Sequence, residues 1–153
     1  MARMDRLPEA ESKHLLSLKC PTFEATPWVT GPALSKRRIA LVSTAGLHLR
    51  GDRPFGVGNA DYRVIPSETP ANELVMSHIS TNFDRTGFQQ DFNVVFPLDR
   101  LRESVSNSTI GSIADFHYSF MGASDPLHME ETTRRLAQIM KADTVDSVLL
   151  VPV

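Results

Sequence analysis

The stretch that decides the fold runs Asp125-Pro126-Leu127-His128-Met129-Glu130-Glu131-Thr132-Thr133-Arg134-Arg135-Leu136-Ala137-Gln138-Ile139-Met140-Lys141-Ala142, then, after Asp143-Thr144, Val145-Asp146-Ser147-Val148-Leu149-Leu150-Val151-Pro152-Val153. Asp125 has the side chain to cap free N–H groups of a first helical turn, and Pro126 suits the next position. Leu127, Met129 or Glu130, Thr133, Leu136, Ile139 and Met140 recur at helical spacing, which predicts a helix to about Ala142 with one apolar stripe. Val145 to Val151 is too short and too continuously apolar for a second amphipathic helix. It reads as a parallel strand buried on both faces. Ile39-Ala40-Leu41-Val42-Ser43-Thr44, preceded by Lys36-Arg37-Arg38, reads as the first strand of the same kind. Strands alternating with helices predict an α/β fold: a layered open sheet, mainly parallel and Rossmann-like. In such sheets ligands sit just beyond the carboxyl ends of the strands. Chemistry is therefore expected around Thr44 and directly after the last strand.

Outward from these anchors, residues 51–60 are rich in Gly, Pro and Asn and predict a surface loop. Tyr62-Arg63-Val64-Ile65-Pro66 and Leu74-Val75-Met76-Ser77-His78-Ile79 read as short strands. Pro97 to Glu103 opens a helix with Asp99, Arg100 and Arg102 on its wet side. Ile110 to Met121 contains a strand in which Phe116, Tyr118 and Phe120 alternate with His117 and Ser119. Residues 1–20 predict a helical arm with Leu15, Leu16, Leu18 and Cys20 on its apolar side. Pro21, Pro27, Gly31 and Pro32 then break the chain around Trp28, read as an aromatic that seals the arm onto the surface. Two regions follow: an arm and loop over 1–31, and an α/β domain over 32–153 that is expected to be incomplete at its C-terminus.

Bulk properties exclude several classes. At 153 residues the chain makes one domain able to bury a core. The net charge of -2 gives no electrostatic support for nucleic acid or an anionic membrane as a partner. No apolar run approaches the roughly 20 residues of a membrane span. Met1 to Lys13 lacks the apolar centre of a signal peptide, so a cytoplasmic location is expected. Cys20 stands alone, which excludes an internal disulfide, a C-x-x-C pair and a cysteine-rich zinc site within these residues.

Polar side chains crowd into Ser77-His78-Ile79-Ser80-Thr81-Asn82-Phe83-Asp84-Arg85-Thr86-Gly87-Phe88-Gln89-Gln90-Asp91. A long polar loop after a strand is uncommon unless it is functional or disordered, and Phe83 and Phe88 provide anchors against disorder. His78 has the chemistry for proton transfer near neutral pH, or it caps the strand end. Arg85 suits a carboxylate and Asp84 a cationic amine, or the two pair with each other. Gln90 could orient a substrate, while Gln89, Gln90 and Asp91 could equally cap the segment that follows. Thr44, with Ser43 and Gly46, offers a hydroxyl and open backbone at a strand's carboxyl edge. His117 is a second-line pocket group, against the commoner structural role of a lone strand histidine. His48 and His128 read as surface groups, and Cys20 as buried or incidental. No dinucleotide loop, P-loop or nucleophile elbow occurs, and no spacing supports a metal.

The run His78-Ile79-Ser80-Thr81-Asn82-Phe83-Asp84-Arg85-Thr86-Gly87-Phe88-Gln89-Gln90-Asp91-Phe92-Asn93-Val94-Val95-Phe96-Pro97-Leu98-Asp99-Arg100-Leu101 resembles the glycine/sarcosine/betaine reductase selenoprotein B family, which includes the selenoprotein subunit of D-proline reductase. Ala45-Gly46-Leu47-His48, Tyr62-Arg63-Val64-Ile65-Pro66 and His117-Tyr118-Ser119-Phe120-Met121-Gly122 extend the likeness, from about residue 27 to Val153. The resemblance implies a reductase that cleaves a C–N bond in a small amino-acid-like substrate. It implies selenocysteine or cysteine directly after a segment like Leu149-Leu150-Val151-Pro152-Val153, other reductase subunits as partners, and a pyruvoyl group on one of them. A chain translated only to a UGA codon would stop where this one does, so a continuation past Val153 is expected. On this reading His78, Asp84 and Arg85 are catalytic, and Gln90, His117 and Thr44 bind substrate. The alternative is a non-catalytic binding or assembly module of a reductase complex, whose exposed final strand would favour association, including with a second copy of itself. A third, weaker expectation is a hydrolase or lyase that uses His78 without redox chemistry.

Overall fold

The computed structural model describes residues 4–19, 22, 24, 28–80 and 83–153. Cys20, Pro21, Pro27, Thr81 and Asn82, which carry expectations above, lie outside the described residues. In chain order the strands are β1 (Arg38–Ser43), β2 (Leu47–Leu49), β3 (Arg63–Pro66), β4 (Leu74–Met76), β5 (Ser112–Ile113), β6 (Phe116–Ser119) and β7 (Ser147–Val151). The helices are α1 (Glu9–Ser17), α2 (Thr86–Gln90), α3 (Leu98–Ser106) and α4 (Glu130–Ala142).

β1 is the central strand because its residues are apolar on both sides. Ile39, Ala40 and Leu41 are all buried. β7 runs parallel along one edge in the register Ile39↔Ser147 to Ser43↔Val151. Along the other edge β5 pairs with the start of β1 and β6 with its end, both parallel. β3 closes that side antiparallel to β6. The predicted layered, mainly parallel α/β sheet is therefore present. β2 and β4 form a separate antiparallel pair, Leu47↔Met76 to Leu49↔Leu74.

The period of two along β1 divides the core into two layers. Ile39 and Leu41 face Leu47, Ile65, Leu74, Phe96, Leu98 and Leu101, on the side of β2 and α3. Ala40 faces Ala114, Tyr118, Phe120, Leu136 and Met140, on the side of α4. Helix α4 begins as the sequence predicts. The Asp125 carboxylate accepts from Leu127 N at 2.9 Å, Pro126 starts a single 3-10 turn, and the α-helix follows. Its apolar stripe is narrower than expected, since Leu136 and Met140 are buried while Leu127 and Ile139 remain exposed.

Three expectations are corrected. β7 is not buried on either face: Val148 and Leu150 on one side and Leu149 on the other are exposed, and among the described residues only β1 pairs with it. An apolar run reports the faces of a strand, not how many neighbours it has. Trp28 is 86% exposed and seals nothing. It stands with Val29, Leu34, Met140, Val145 and Leu149 around an open apolar groove of about 610 Å³ beside β7. The arm is helical over Glu9–Ser17, but none of its residues is buried and Leu15, Leu16 and Leu18 face outward.

Arg38 ties the amino-terminal edge of the sheet together. Its guanidinium donates to the Ile113 carbonyl at 2.7 Å, to the Asp143 carbonyl at 3.0 Å and to the Asp143 carboxylate at 2.8 Å. One side chain thus joins β1, β5 and the end of α4. Arg38→Met keeps the aliphatic stem and strands those acceptors, so it should lower stability by roughly 2 kcal/mol. Urea unfolding checks this, with the midpoint falling at unchanged slope.

Candidate functional site at the carboxyl edge of the sheet

The carboxyl ends of β1, β6 and β7 meet at Thr44, Gly122 and Val153. The main-chain ladder between β1 and β7 ends with Thr44 N–H donating to the Val151 carbonyl at 3.1 Å. Its next acceptor on β1, the Thr44 carbonyl, is taken by Gly122 N–H instead of Val153 N–H. The Thr44 side chain takes over: its Oγ1 accepts from Val153 N at 2.8 Å and donates to the Val153 carbonyl at 3.1 Å. Gly122 N–H donates to the Thr44 carbonyl at 2.8 Å. A Cβ on Gly122 would collide with the Val153 carbonyl oxygen and lie 3.0 Å from the Thr44 carbonyl.

Gly46 connects this edge to the polar loop. Its φ of +67° is a conformation glycine adopts without strain, and it turns the chain from β1 into β2. A Cβ there would lie 3.0 Å from Met121 Cε and 3.1 Å from His78 N. Gly46 N–H donates to the Phe120 carbonyl at 2.8 Å, and Ser77 N–H to the Gly46 carbonyl at 2.9 Å. The start of the loop is thereby pinned two residues from Thr44 in sequence.

His78 is buried, 5% exposed. Its Nδ1 accepts from Ser80 N at 3.2 Å, which places the ring proton on Nε2. Nε2 is buried and has no hydrogen-bond partner among the described residues. Burial first, and the Arg85 charge second, hold the His78 pKa below the usual histidine value, so the ring is neutral at pH 7. Phe83 packs on it at 4.9 Å between ring centroids, and the Arg85 guanidinium donates to the His78 carbonyl. Arg85 is otherwise exposed, with donors to spare. Asp84 is exposed; its carboxylate accepts from Thr86 N at 2.9 Å, and this bonding keeps its pKa below the usual range. No ion pair joins Asp84 to Arg85 among the described residues.

The sequence-predicted residues thus divide. Gly46, two residues after Thr44, lies against the backbone of His78, and Arg85 donates to the His78 carbonyl, with Asp84 next to it on the loop. Gln90 is exposed at the far end of α2, in an open cavity of about 490 Å³ lined by Arg50, Asn72 and Asp99 together with Leu74, Phe88 and Phe92. His117 lies within the sheet, wholly buried. Its Nδ1 accepts from Leu41 N at 3.0 Å, and its Nε2 lies 3.1 Å from Ser67 Oγ, which donates to the Ala114 carbonyl. Both ring nitrogens are occupied by the fold. His48, expected at the surface, is only 5% exposed, with Nδ1 2.8 Å from the Leu49 carbonyl. Its alternation partner across the pair is Val75, and an antiparallel pair covered on both sides buries either face. Gly122 had no assigned role. Its signal was a glycine just after the strand expected within Ile110 to Met121; that this strand would lie beside β1 was not visible in the sequence. Ser67 carried no signal, because its partner is 50 positions away.

The geometry defines an α/β protein with a mainly parallel sheet in which β1, β6 and β7 finish at one carboxyl edge. The chain matches the family model for glycine/sarcosine/betaine reductase selenoprotein B over residues 16–153, and it belongs to that family. It is 32% identical over 120 residues to the D-proline reductase subunit gamma of Acetoanaerobium sticklandii, covering 76% of this chain and 49% of that protein. It is 28% identical over 142 residues to the glycine reductase complex component B subunit gamma of Carboxydothermus hydrogenoformans, covering 87% of this chain and 32% of that one. The chain therefore spans about half or less of the length of these relatives. No solved structure gives a significant match. No described helix is long and apolar enough to cross a membrane.

His117 yields a pH prediction. Burial, with the Arg102 and Arg38 charges behind it, pulls its pKa from 6.5 to about 4. The unfolded chain takes up this proton near pH 6.5 and the folded protein only near pH 4. Stability should therefore fall as pH drops through that window, by up to roughly 3 kcal/mol, and no further below it. His117→Gln keeps an acceptor but cannot titrate, so urea midpoints measured from pH 7 to pH 4 should show a shallower decline.

Proposed function

We propose that this chain supplies one wall of the active site of a selenol- or thiol-dependent reductase that cleaves a C–N bond in a small amino-acid-like substrate. The observation that carries this reading is the seating of Val153 on Thr44 and Gly122, beside the loop that holds His78. A residue directly after Val153 would leave the sheet where ligands of parallel α/β folds bind. We propose that it is selenocysteine or cysteine. Such a group supplies a nucleophile that is ionised near neutral pH and accepts the substrate carbon as nitrogen departs.

The residues of this chain then act around it. His78 presents Nε2–H, a buried donor with no partner among the described residues, toward the departing nitrogen or a developing negative charge. A buried donor without a partner is costly unless a ligand completes it. Arg85 offers guanidinium N–H groups to a substrate carboxylate. Asp84, ionised at neutral pH, offers a counter-charge to a substrate amine. A pyruvoyl group, if the complex uses one, belongs to a partner subunit in this reading. The names of the curated relatives, subunits of D-proline reductase and of the glycine reductase complex, support other reductase subunits as partners. A cytoplasmic location fits such a complex.

The test begins with the nucleotide sequence after Val153. UGA read through as selenocysteine, or a cysteine codon, is the expected result; a frame with neither sinks the proposal. In the extended protein, with its partner subunits, His78→Ala should lower kcat about 100-fold with little change in KM. Unchanged turnover removes His78 from the mechanism.

The free edge of β7 favours a second reading, an assembly module. Val148, Leu149 and Leu150 are exposed, and the strand carries no charge between Asp146 and Val153. Edges of this kind attract another strand. If the edge mediates self-association, Leu150→Lys should shift the protein toward monomer in sedimentation velocity, and an unchanged distribution would clear β7 of that role.

A further inference from the structure

We infer that Thr44 and Gly122 are positioning residues that fix the direction in which the chain leaves the sheet after Val153. This rests on the reading above, in which the next residue is the nucleophile. Three observations carry it. The Thr44 carbonyl, which the ladder would next offer to Val153 N–H, is held by Gly122 N–H at 2.8 Å, so the ladder that joins β7 to β1 stops at the bond from Thr44 N to the Val151 carbonyl, 3.1 Å. The hydroxyl of Thr44 then binds both main-chain groups of Val153, accepting from its N–H at 2.8 Å and donating to its carbonyl at 3.1 Å. This reproduces with a side chain the donor and acceptor pair that a neighbouring strand would have supplied. The space for it exists only because position 122 has no side chain, since a Cβ there would strike the Val153 carbonyl oxygen.

β7 has a neighbour on one side only, so its last residues are where a parallel edge strand frays first. A nucleophile attached to a fraying strand end would sample many orientations. Two hydrogen bonds to one half-buried hydroxyl, 109 positions away in sequence, restrain the residue immediately before it. Threonine suits this duty better than serine in one respect, because its branched Cβ limits χ1 and holds the hydroxyl in place. Thr44 therefore acts on the reaction through the backbone of Val153 and not by touching substrate.

The experiment uses the full-length protein, read through the residue after Val153, in wild-type, Thr44→Val, Thr44→Ser and Gly122→Ala forms. Two readouts are taken: hydrogen exchange of peptides covering the end of β7, and the rate of iodoacetamide alkylation at the following residue as a function of pH. Thr44→Val should speed exchange at the end of β7 about tenfold, the loss of one or two net hydrogen bonds, with other peptides unchanged. It should also move the alkylation midpoint toward that of an unconstrained group, about 8.5 if the residue is cysteine. Thr44→Ser should retain most of both properties, and Gly122→Ala should resemble Thr44→Val. Unchanged exchange in Thr44→Val would show that no clamp exists. Faster exchange with an unchanged alkylation profile would make Thr44 merely structural and overturn the inference. Absence of any alkylated residue would sink the functional reading instead, and exchange alone would then decide the clamp. Normal alkylation without reductase activity likewise counts against the function and not the clamp.

Discussion

A single main-chain donor, Leu41 N–H, sets the terms for the rest of the fold. It lies in the middle of the central strand, out of reach of water, and must be bonded. Between the pairs Ile39↔Ile113 and Val42↔Tyr118, β1 advances three residues (42 − 39) and its neighbour five (118 − 113). The two extra residues bulge away from β1 and would leave Leu41 N–H without a partner. His117 repairs the gap with Nδ1, and its other nitrogen turns to Ser67, which also satisfies the Ala114 carbonyl in the bulge. Arg102 of α3 then donates to the Ser67 carbonyl. One defect in a strand is thereby resolved by a chain of contacts through β6, the segment after β3, and α3. The bonding works only while His117 is neutral, and burial, with the Arg102 and Arg38 charges behind it, keeps it so by lowering its pKa.

The same bulge lets β6 rejoin β1 in register at Val42 and Ser43, so both strands finish together at the carboxyl edge. Phe120, Met121 and Gly122 then lie against Thr44, Ala45 and Gly46, through bonds from Phe120 N to the Ser43 carbonyl and from Gly122 N to the Thr44 carbonyl, each 2.8 Å. His78 and His117 are both buried and both have lowered pKa values, yet they differ in kind. Both hydrogen-bonding atoms of the His117 ring are used by the fold, whereas His78, like His48, keeps one buried ring nitrogen with no partner among the described residues. Burial and a lowered pKa alone therefore do not distinguish one histidine from the other.

Local pattern made part of this visible. β1 and α4 were legible because continuous apolar residues and a 3.6-residue stripe are properties of consecutive positions. The Asp125-Pro126 start was legible for the same reason. The exposure of β7 was not, since an apolar run carries no record of whether one neighbour or two will flank it. The bulge at Ala114–His117 was hidden because it is a mismatch between two strands 70 or more positions apart. Trp28 misled because its size argues for burial, while its neighbours here leave it on an open groove. Within the site, His78 and Arg85 shared one polar loop and could be grouped from sequence. Thr44 was found as a strand-end hydroxyl, but its partner, the backbone of Val153, could only be seen once β7 was set beside β1.

The carboxyl edge also explains why the two functional readings are not rivals in physical terms. β7 must be short of one neighbour for its far side to meet another protein segment, and that same shortage makes its end mobile unless something restrains it. The apolar groove beside it, about 610 Å³, runs along the strand from Asp146 and Ser147 to Leu150. Thr44 and Gly122 act beyond it, on Val153. A segment docking along β7 would add ladder bonds to its open side and stiffen the strand from Ser147 onward, adding to the restraint that Thr44 already provides. On the two proposed readings, assembly and the orientation of a following residue would be coupled through one strand, with docking acting on its open edge and the Thr44 hydroxyl on its end.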